Sequence, residues 1–398
     1  MSSASSRHDG DGDSAPAGNG PTHDANGPTR DPSRRGPSVN GPIDPALVRA
    51  VAAAVHREDV ELTIAEPADY AAVEAASRGA DPGDVLTPLT ADLIRWFVDD
   101  NPCGQGFVVV AREADSRDIV GHFVFHPWAL KLRRPDGGCE EAPVYIHVRL
   151  WVSSRLRRRG VFLSMTAFGV ELLRRMGVGL AYTVPMNERS APGFLKFGEQ
   201  RAGYLPFWVR PVVPGWSSLA GGRRPRGLEV EVRDTFDQLF DKVANASMPE
   251  AVVAWSPRRA AMLNWRYPQR PDFDYEIRYL HREGRAIGYV VTRRMHIKGL
   301  RALVVCDFWT EASDAAALRV GIDDALRSGD RVSIVVSFGG NVAGTVQTAF
   351  RRAGLARCPR ALQPPVSIVG GGIGEGEQRI DLPSIDGWYA TPYDWDVF

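Results

Sequence analysis

The stretch "VSSRLRRRGVFLSM" at 152–165 joins two different hydrophobic periods, and its reading decides the fold. Before it, 141–152 alternates as a strand does: Val144, Ile146, Val148, Leu150 and Val152 take one face, and Tyr145, His147, Arg149 and Trp151 take the other. After it, Val161, Met165, Phe168, Leu172 and Met176 recur at helical spacing, so 160–176 is an amphipathic helix that Gly177 stops. Between the two lie Arg155, Arg157, Arg158, Arg159 and Gly160. A strand that opens through such a loop into a helix leaves the first N–H groups of that helix without carbonyl partners. With the positive end of the helix dipole, those donors form an anion site. Gly160 admits a phosphate close to the backbone, and guanidinium forks suit its oxygens. The competing reading is a loop of solvated arginines, and its place between strand and helix favours the phosphate.

Lys plus Arg and Asp plus Glu number 48 each, for a formal net charge of zero, so no global field favours a polyanion such as nucleic acid. A chain of 398 residues is long for one domain, and two are expected. Cys103, Cys139, Cys306 and Cys358 are too far apart for a close metal-ligand spacing or a disulfide framework, which fits a reducing, cytoplasmic setting. The apolar runs are too short to span a bilayer, and "MSSASSRHDGDGDS" lacks the core of a secretion signal; neither membrane nor metal is expected as a partner.

Residues 1–43 are poor in large apolar side chains and read as a disordered tail. A first domain is expected over 44–213, a linker rich in Gly, Pro and Arg over 214–227, and a second domain over 228–398. The first shows helices near 67–78 and 90–99, strands near 106–112 and 119–132, then the strand and helix above, a short strand at 179–185 and a helix near 190–197. The second repeats a hairpin, a strand, a helix, a strand and a helix between 275 and 353. The repeated order suggests two copies of one α/β (α+β) architecture. "VGGGIGEGEQ" at 369–378 does not open a helix and reads as a flexible hairpin connection.

The stretch at 152–165 resembles motif A of the GCN5-related N-acetyltransferase (GNAT) superfamily, with Arg157, Gly160 and Phe162 at the positions of its pattern; Phe162 replaces the usual second small residue. "VPMNERSAPGFLKFGEQRAGYLPFWVRP" resembles the family's next segment, through Asn187, Ser190, Phe194, Lys196 and Gly198. The likeness covers about 60–212. It implies two GNAT-like domains in tandem, the second degenerate, each a mixed, mostly antiparallel sheet flanked by helices. It further implies an acyl-CoA-dependent N-acyltransferase using acetyl-CoA or another acyl-CoA, acting on an amine of a small molecule or sugar, as a monomer or homodimer. The cofactor diphosphate would lie on the amides of Arg158, Arg159, Gly160, Val161, Phe162 and Leu163, with Arg157 beside it, and the pantetheine arm along the strand at Arg149, Leu150, Trp151 and Val152. Asn187 would contact the arm or fix the splay between this strand and the next, and Phe194 would pack near the thioester. A Fem-like aminoacyl-tRNA-dependent transferase and a non-catalytic GNAT-fold binding protein are the alternatives.

Acyl transfer to an amine requires a base, an oxyanion donor and a proton for the leaving thiolate. His147 is the candidate base, since an unperturbed imidazole titrates near neutral pH; a histidine packed between sheet and helix is the equal alternative. Tyr145 shares its face and serves as a substrate ligand or relay. Many family members carry a tyrosine as acid where Phe194 stands, so Tyr182, Tyr204 or water would take that part, or the thiolate would leave unassisted. His122 and His126 share a strand face and are candidate pocket residues. In the second half, Asp307, Glu311 and Asp314 stand where a phosphate loop would be and are expected to repel one. Trp265 and Arg266 read as structural, and Trp388, Tyr389, Tyr393 and Trp395 as a cap on the second core.

Overall fold

The alternating run at 141–152 does become a strand, and the chain around it is seen in a computed structural model that describes residues 41–80, 88–185, 190–212, 226–239, 241, 248–311, 316–339, 345–376 and 379–396. The first part comprises α1 (Pro45–Ala54), β1 (Val60–Ile64), α2 (Tyr70–Arg78), α3 (Ala91–Val98), β2 (Phe107–Glu113), β3 (Ile119–Arg133), β4 (Cys139–Val152), α4 (Val161–Arg175), β5 (Leu180–Thr183), α5 (Ala191–Lys196), β6 (Gln200–Tyr204) and β7 (Phe207–Pro211). Then follow β8 (Leu228–Arg233), β9 (Ala254–Trp255), α6 (Ala260–Arg266), β10 (Glu276–Arg282), β11 (Arg285–Ile297), β12 (Leu300–Thr310), α7 (Ala317–Arg327), β13 (Ile334–Phe338), α8 (Thr345–Arg352), β14 (Ala356–Arg357), β15 (Ser367–Gly372) and β16 (Trp388–Tyr389). The expected tail lies almost wholly outside the described residues, as does most of the expected linker. Among the described residues no helix is long and apolar enough to cross a membrane.

Two mixed, mostly antiparallel sheets result. One runs β1-β2-β3-β4-β5-β15-β6, with β9 and β16 added beside β3, and the other runs β14-β7-β13-β12-β11-β10-β8. In each, a hairpin leads to a long strand, then a helix, then a strand that pairs parallel to it: β4 with β5, and β12 with β13. Strands are also exchanged. β7 follows the first sheet in sequence yet pairs with β13, while β15, from near the C-terminus, sits between β5 and β6.

The place of β15 corrects the expectation of a flexible connection at 369–378. Its glycines permit a close strand approach, since a Cβ on Gly370 would stand 2.5 Å from the carbonyl oxygen of Ala181. The first part of the glycine-rich run, up to Gly372, thus becomes an internal strand.

The two sheets enclose a common core. Trp96, Trp128, Ile146 and Tyr182 from the first side meet Tyr289, Val304 and Trp309 from the second, with Trp265, Trp388, Tyr393 and Trp395 between them. Trp265 on α6 stacks on Trp96 of α3, with ring centroids 4.2 Å apart and planes within 7°. Each indole N–H also donates to the other residue's carbonyl, at 2.8 and 2.9 Å. Arg266 donates to the carbonyls of Pro392, Tyr393 and Trp395 and so fastens the C-terminal segment. On the outer faces, α1 and α4 cover the first sheet through Val51, Met165, Phe168 and Leu172, while α7 and α8 cover the second through Leu318, Ile322 and Phe350.

Asp307 is not a repelling charge in a loop, as was expected of it, but a residue inside a strand. It is fully buried on β12, where the hydroxyls of Tyr289 and Thr391 each donate to it at 2.7 Å and Arg258 lies 3.4 Å away. A buried charge needs such partners. Glu311 pairs with Arg285 instead, and Asp314 lies outside the described residues.

Trp265→Ala removes the stack and the hydrogen bond that its own indole N–H donates to Trp96 O, and is expected to cost roughly 3–5 kcal/mol. Urea denaturation followed by far-UV dichroism measures it. A loss under 1 kcal/mol would show that the two indoles do not hold the sheets together.

Candidate active site

The loop after β4 is anchored at both ends and open in the middle. Ser153 N–H donates to Val120 O at 2.8 Å, and Leu156 in the following turn is buried. Arg158 (φ 63°) and Gly160 (φ 85°) then take left-handed conformations, and α4 begins at Val161 with no side chain capping it. Ser164 N–H is the first to bond back into the helix, to Gly160 O at 3.0 Å. The N–H groups of Val161, Phe162 and Leu163 therefore point past the helix end. Arg155 is held by Glu113 at 3.0 Å, and Arg157 donates to Val152 O at 3.2 Å. Arg158 and Arg159 are exposed.

A fifth arginine joins this loop from the connection between α1 and β1. Arg57 donates to Arg159 O at 3.0 Å and to Ser164 Oγ at 3.4 Å, and pairs with Asp59 at 2.7 Å. That pairing holds the Asp59 carboxyl below its ordinary range. Nothing in "HREDV" at 56–60 marks it, because the contact spans 102 residues. At Gly160 the backbone angle already excludes most side chains, and a Cβ there would also stand 3.2 Å from Arg57 Nη1.

β4 carries an extra residue just before this loop. Val148 pairs with Val124, but Trp151 pairs with His122, and Arg149 in between has φ 55°. Such a bulge reverses the alternation beyond it. The expected single face is thus corrected: Tyr145 and His147 face α4, but Arg149 and Trp151 turn to the common core, and Leu150 and Val152 replace them against α4. Arg149 bonds Asp396 and lies 3.5 Å from Asp272, and its carbonyl is 2.9 Å from His122 Nδ1. On its other side β4 pairs with β5 only at Tyr145–Ala181 and Ile146–Tyr182. From His147 to Val152 that edge has no strand beside it among the described residues.

The three candidate catalytic side chains do not converge. His147 is fully buried among the rings of Phe123, Phe125 and Phe194, at 5.3, 5.6 and 5.0 Å, with its Nε2 3.6 Å from Glu199 Oε1. Burial first, and the neighbouring His126 second, push its pKa down to about 3, so at neutral pH it is the uncharged imidazole. Tyr145 is buried two residues before and donates to Gln105 O at 2.8 Å. Tyr182 lies on the opposite face of the sheet, in the common core, with its ring 5.3 Å from Trp388. Its separation from the other two follows from parity: β5 pairs Ala181 with Tyr145, which leaves Tyr182 level with Ile146. Phe194 on α5 does reach this region, 5.0 Å from both His147 and Phe162. Asn187 lies outside the described residues.

Glu199, between α5 and β6, was not legible as a site residue. Burial raises its carboxyl to about 8. His122 and His126 are likewise buried, on the common-core face of β3, and burial lowers both to about 4. Among the described residues, no three His, Cys, Asp or Glu side chains gather as metal ligands.

No family model and no curated protein matches the sequence. Solved structures do match the fold. A GCN5-related N-acetyltransferase from Anabaena variabilis aligns with TM-score 0.57 at 10% identity, over 79% of this chain and 73% of that one. A probable N-acyltransferase from Enterococcus faecalis gives 0.56 at 10%, over the same shares. An N-myristoyltransferase from Saccharomyces cerevisiae, solved with bound myristoyl-CoA, gives 0.51 at 10%, over 79% and 82%. The fold of this chain is that of the GNAT proteins.

The buried groups make stability depend on pH. The three histidines have folded pKa values below 6.5, so the unfolded chain binds their protons first, and stability is lost as pH falls from 6.5 towards 4. Glu199 acts in the opposite sense between 4.5 and about 8. The three histidines outweigh the one glutamate, so these four together give a net uptake of between one and two protons on unfolding between pH 6.5 and 4.5, on the order of 2 kcal/mol per pH unit lost on acidification. Urea midpoints at half-unit steps of pH measure it, and a flat profile over that window would contradict the burial of these rings.

Proposed function

We propose that the protein is an acyl-CoA-dependent N-acyltransferase, with acetyl-CoA the first donor to test and an amine of a small molecule or sugar as acceptor. The observation that carries this reading is the junction of β4 and α4: uncapped helix N–H groups beside a left-handed glycine, continuous with a strand edge that has lost its neighbour. Both parts suit a long donor with an anionic head. The amides of Val161, Phe162 and Leu163 would take the diphosphate, with Arg158 and Arg159 adding charge and Arg157 steadying the loop. The edge at Leu150 to Val152 would pair with the amides of the pantetheine arm. Phe162 and Phe194 would flank its inner end.

When bound, acyl-CoA supplies an activated thioester; the chain's own groups orient it and manage protons. A main-chain N–H on the free edge of β4 would stabilise the oxyanion, since donors fixed in place lose little on reorganising. His147 is the imidazole at the inner end of that edge, where pairing with β5 stops. The second half, with a matching order of strands and a parallel β12 and β13 pair but no arginine loop, is proposed as a degenerate copy that completes the acceptor side. All four cysteines are free, which supports a cytoplasmic setting.

Calorimetric titration with acetyl-CoA tests the reading. Saturable binding is expected for the wild type, with at least a hundredfold loss in Gly160→Glu and a loss of about tenfold or less in Arg157→Ala, because main-chain donors hold the anion and the side chain assists. Absence of binding to the folded wild type would overturn the proposal.

A further inference from the structure

Two buried ionisable side chains face each other below the free edge of β4 with almost nothing else to bind. Among the described residues neither ring nitrogen of His147 has a hydrogen-bond partner, nor has Glu199 Oε2, and the histidine is 0% and the glutamate 9% exposed. Their closest approach, Nε2 to Oε1, is 3.6 Å, just beyond hydrogen-bond length. The cage around them is aromatic: Phe123, Phe125 and Phe194. Leaving several buried polar atoms unmade is costly, and a site that does so calls for a reason. Packing alone supplies none, because leucine or phenylalanine would fill the space without the penalty.

The location supplies the reason. His147 is the first residue of β4 after its pairing with β5 ends. Five residues on, roughly 17 Å along the strand, lies Val152, where the anion loop starts. A donor whose diphosphate rests on the head of α4 and whose arm follows this edge brings its reactive end to His147 and Phe194. Glu199 is held there by its own backbone, whose N–H donates to Phe194 O at 3.2 Å.

We propose that His147 and Glu199 form a proton-sharing pair that protonates the departing sulfur and takes up the proton shed by the amine, an inference that rests on the acyltransferase reading above. In the step, the amine nitrogen forms a bond to the acyl carbon and the carbon–sulfur bond breaks, its electron pair remaining on sulfur. Glu199 gives its proton to that sulfur. His147 Nε2 accepts the proton lost by nitrogen and passes it to the Glu199 carboxylate, so the pair ends as it began.

The surroundings agree. Burial alone raises the glutamate to about 8, and the histidine is depressed, so at neutral pH both are uncharged with the proton on the carboxyl. The ionisable groups nearby are few. His126 sits on β3, facing the common core, and is itself held neutral by burial. The Tyr145 hydroxyl on β4 is committed to Gln105 O, Lys196 on α5 is exposed, and Arg201 on β6 lies over the Tyr204 ring at 4.4 Å. On α4, Glu171, Arg174 and Arg175 pair with one another in its last turns.

Infrared difference spectroscopy on the full, ligand-free chain near pH 7 reads the pair directly. A protonated-carboxyl band is expected that Glu199→Gln removes and His147→Asn shifts; absence of any such difference overturns the pair. With acetyl-CoA and an amine acceptor, Glu199→Gln should lower kcat at least tenfold while KM for acetyl-CoA stays within twofold. The wild-type rate should fall as pH rises through about 8, where the donor loses its proton, and the variant should lack that limb. Glu199→Asp should recover part of the rate. An unchanged kcat, or the same alkaline limb in Glu199→Gln, overturns proton delivery even with acetyl-CoA still bound. Failure of the wild type to bind acetyl-CoA would instead overturn the transferase reading and the delivery step together, and the infrared band separates that case from failure of the pair.

Discussion

A strand that keeps one neighbour and loses the other must leave a row of main-chain donors and acceptors open, and among the described residues β4 does this in the interior of the first sheet. β3 follows it as far as Val152, whereas β5 leaves after Ile146. Ordinarily such an edge is a liability that proteins cover or blunt. Here it runs straight into a helix start that is itself uncapped, so two unsatisfied features adjoin. The bulge at Arg149 belongs to the same economy of form. By adding one residue it turns a guanidinium and an indole away from the open edge and puts Leu150 and Val152 in their place.

The rest of the molecule holds this edge in position. The two sheets share one core, pinned by the Trp96 and Trp265 stack and by Arg258 and Arg266, which draw the C-terminal segment into it. Exchange of β7 and β15 ties the halves further, because each sheet lacks a strand if the other half is removed. Rigidity at the site thus comes from the whole chain.

Much of the first sheet was legible because its hydrophobic periods are clean. The strand, arginine loop and helix at 141–176 were placed within two residues, since alternation and helical spacing change sharply across Gly160. The bulge was not legible. Val148, Leu150 and Val152 alternate as smoothly as an unbroken strand, and an extra residue in one strand shows itself through its partner's register. β15 was misread for a related reason: a glycine-rich run resembles a connection until Ala181 is seen to need the space beside Gly370. Arg57 and Glu199 escaped because their roles come from contacts across 102 and 52 residues, and no local pattern encodes either. Asp307 looked like a repelling charge in isolation and proved to be the anchor of a buried network.

In the proposed donor site, main-chain donors, more than arginine side chains, grip the diphosphate at the head of α4. Backbone amide NMR during titration with coenzyme A tests this most directly. The amide signals of Val161, Phe162 and Leu163 should move downfield together and saturate with one binding constant. Movement limited to arginine side-chain signals, with those three amides unchanged, would contradict it.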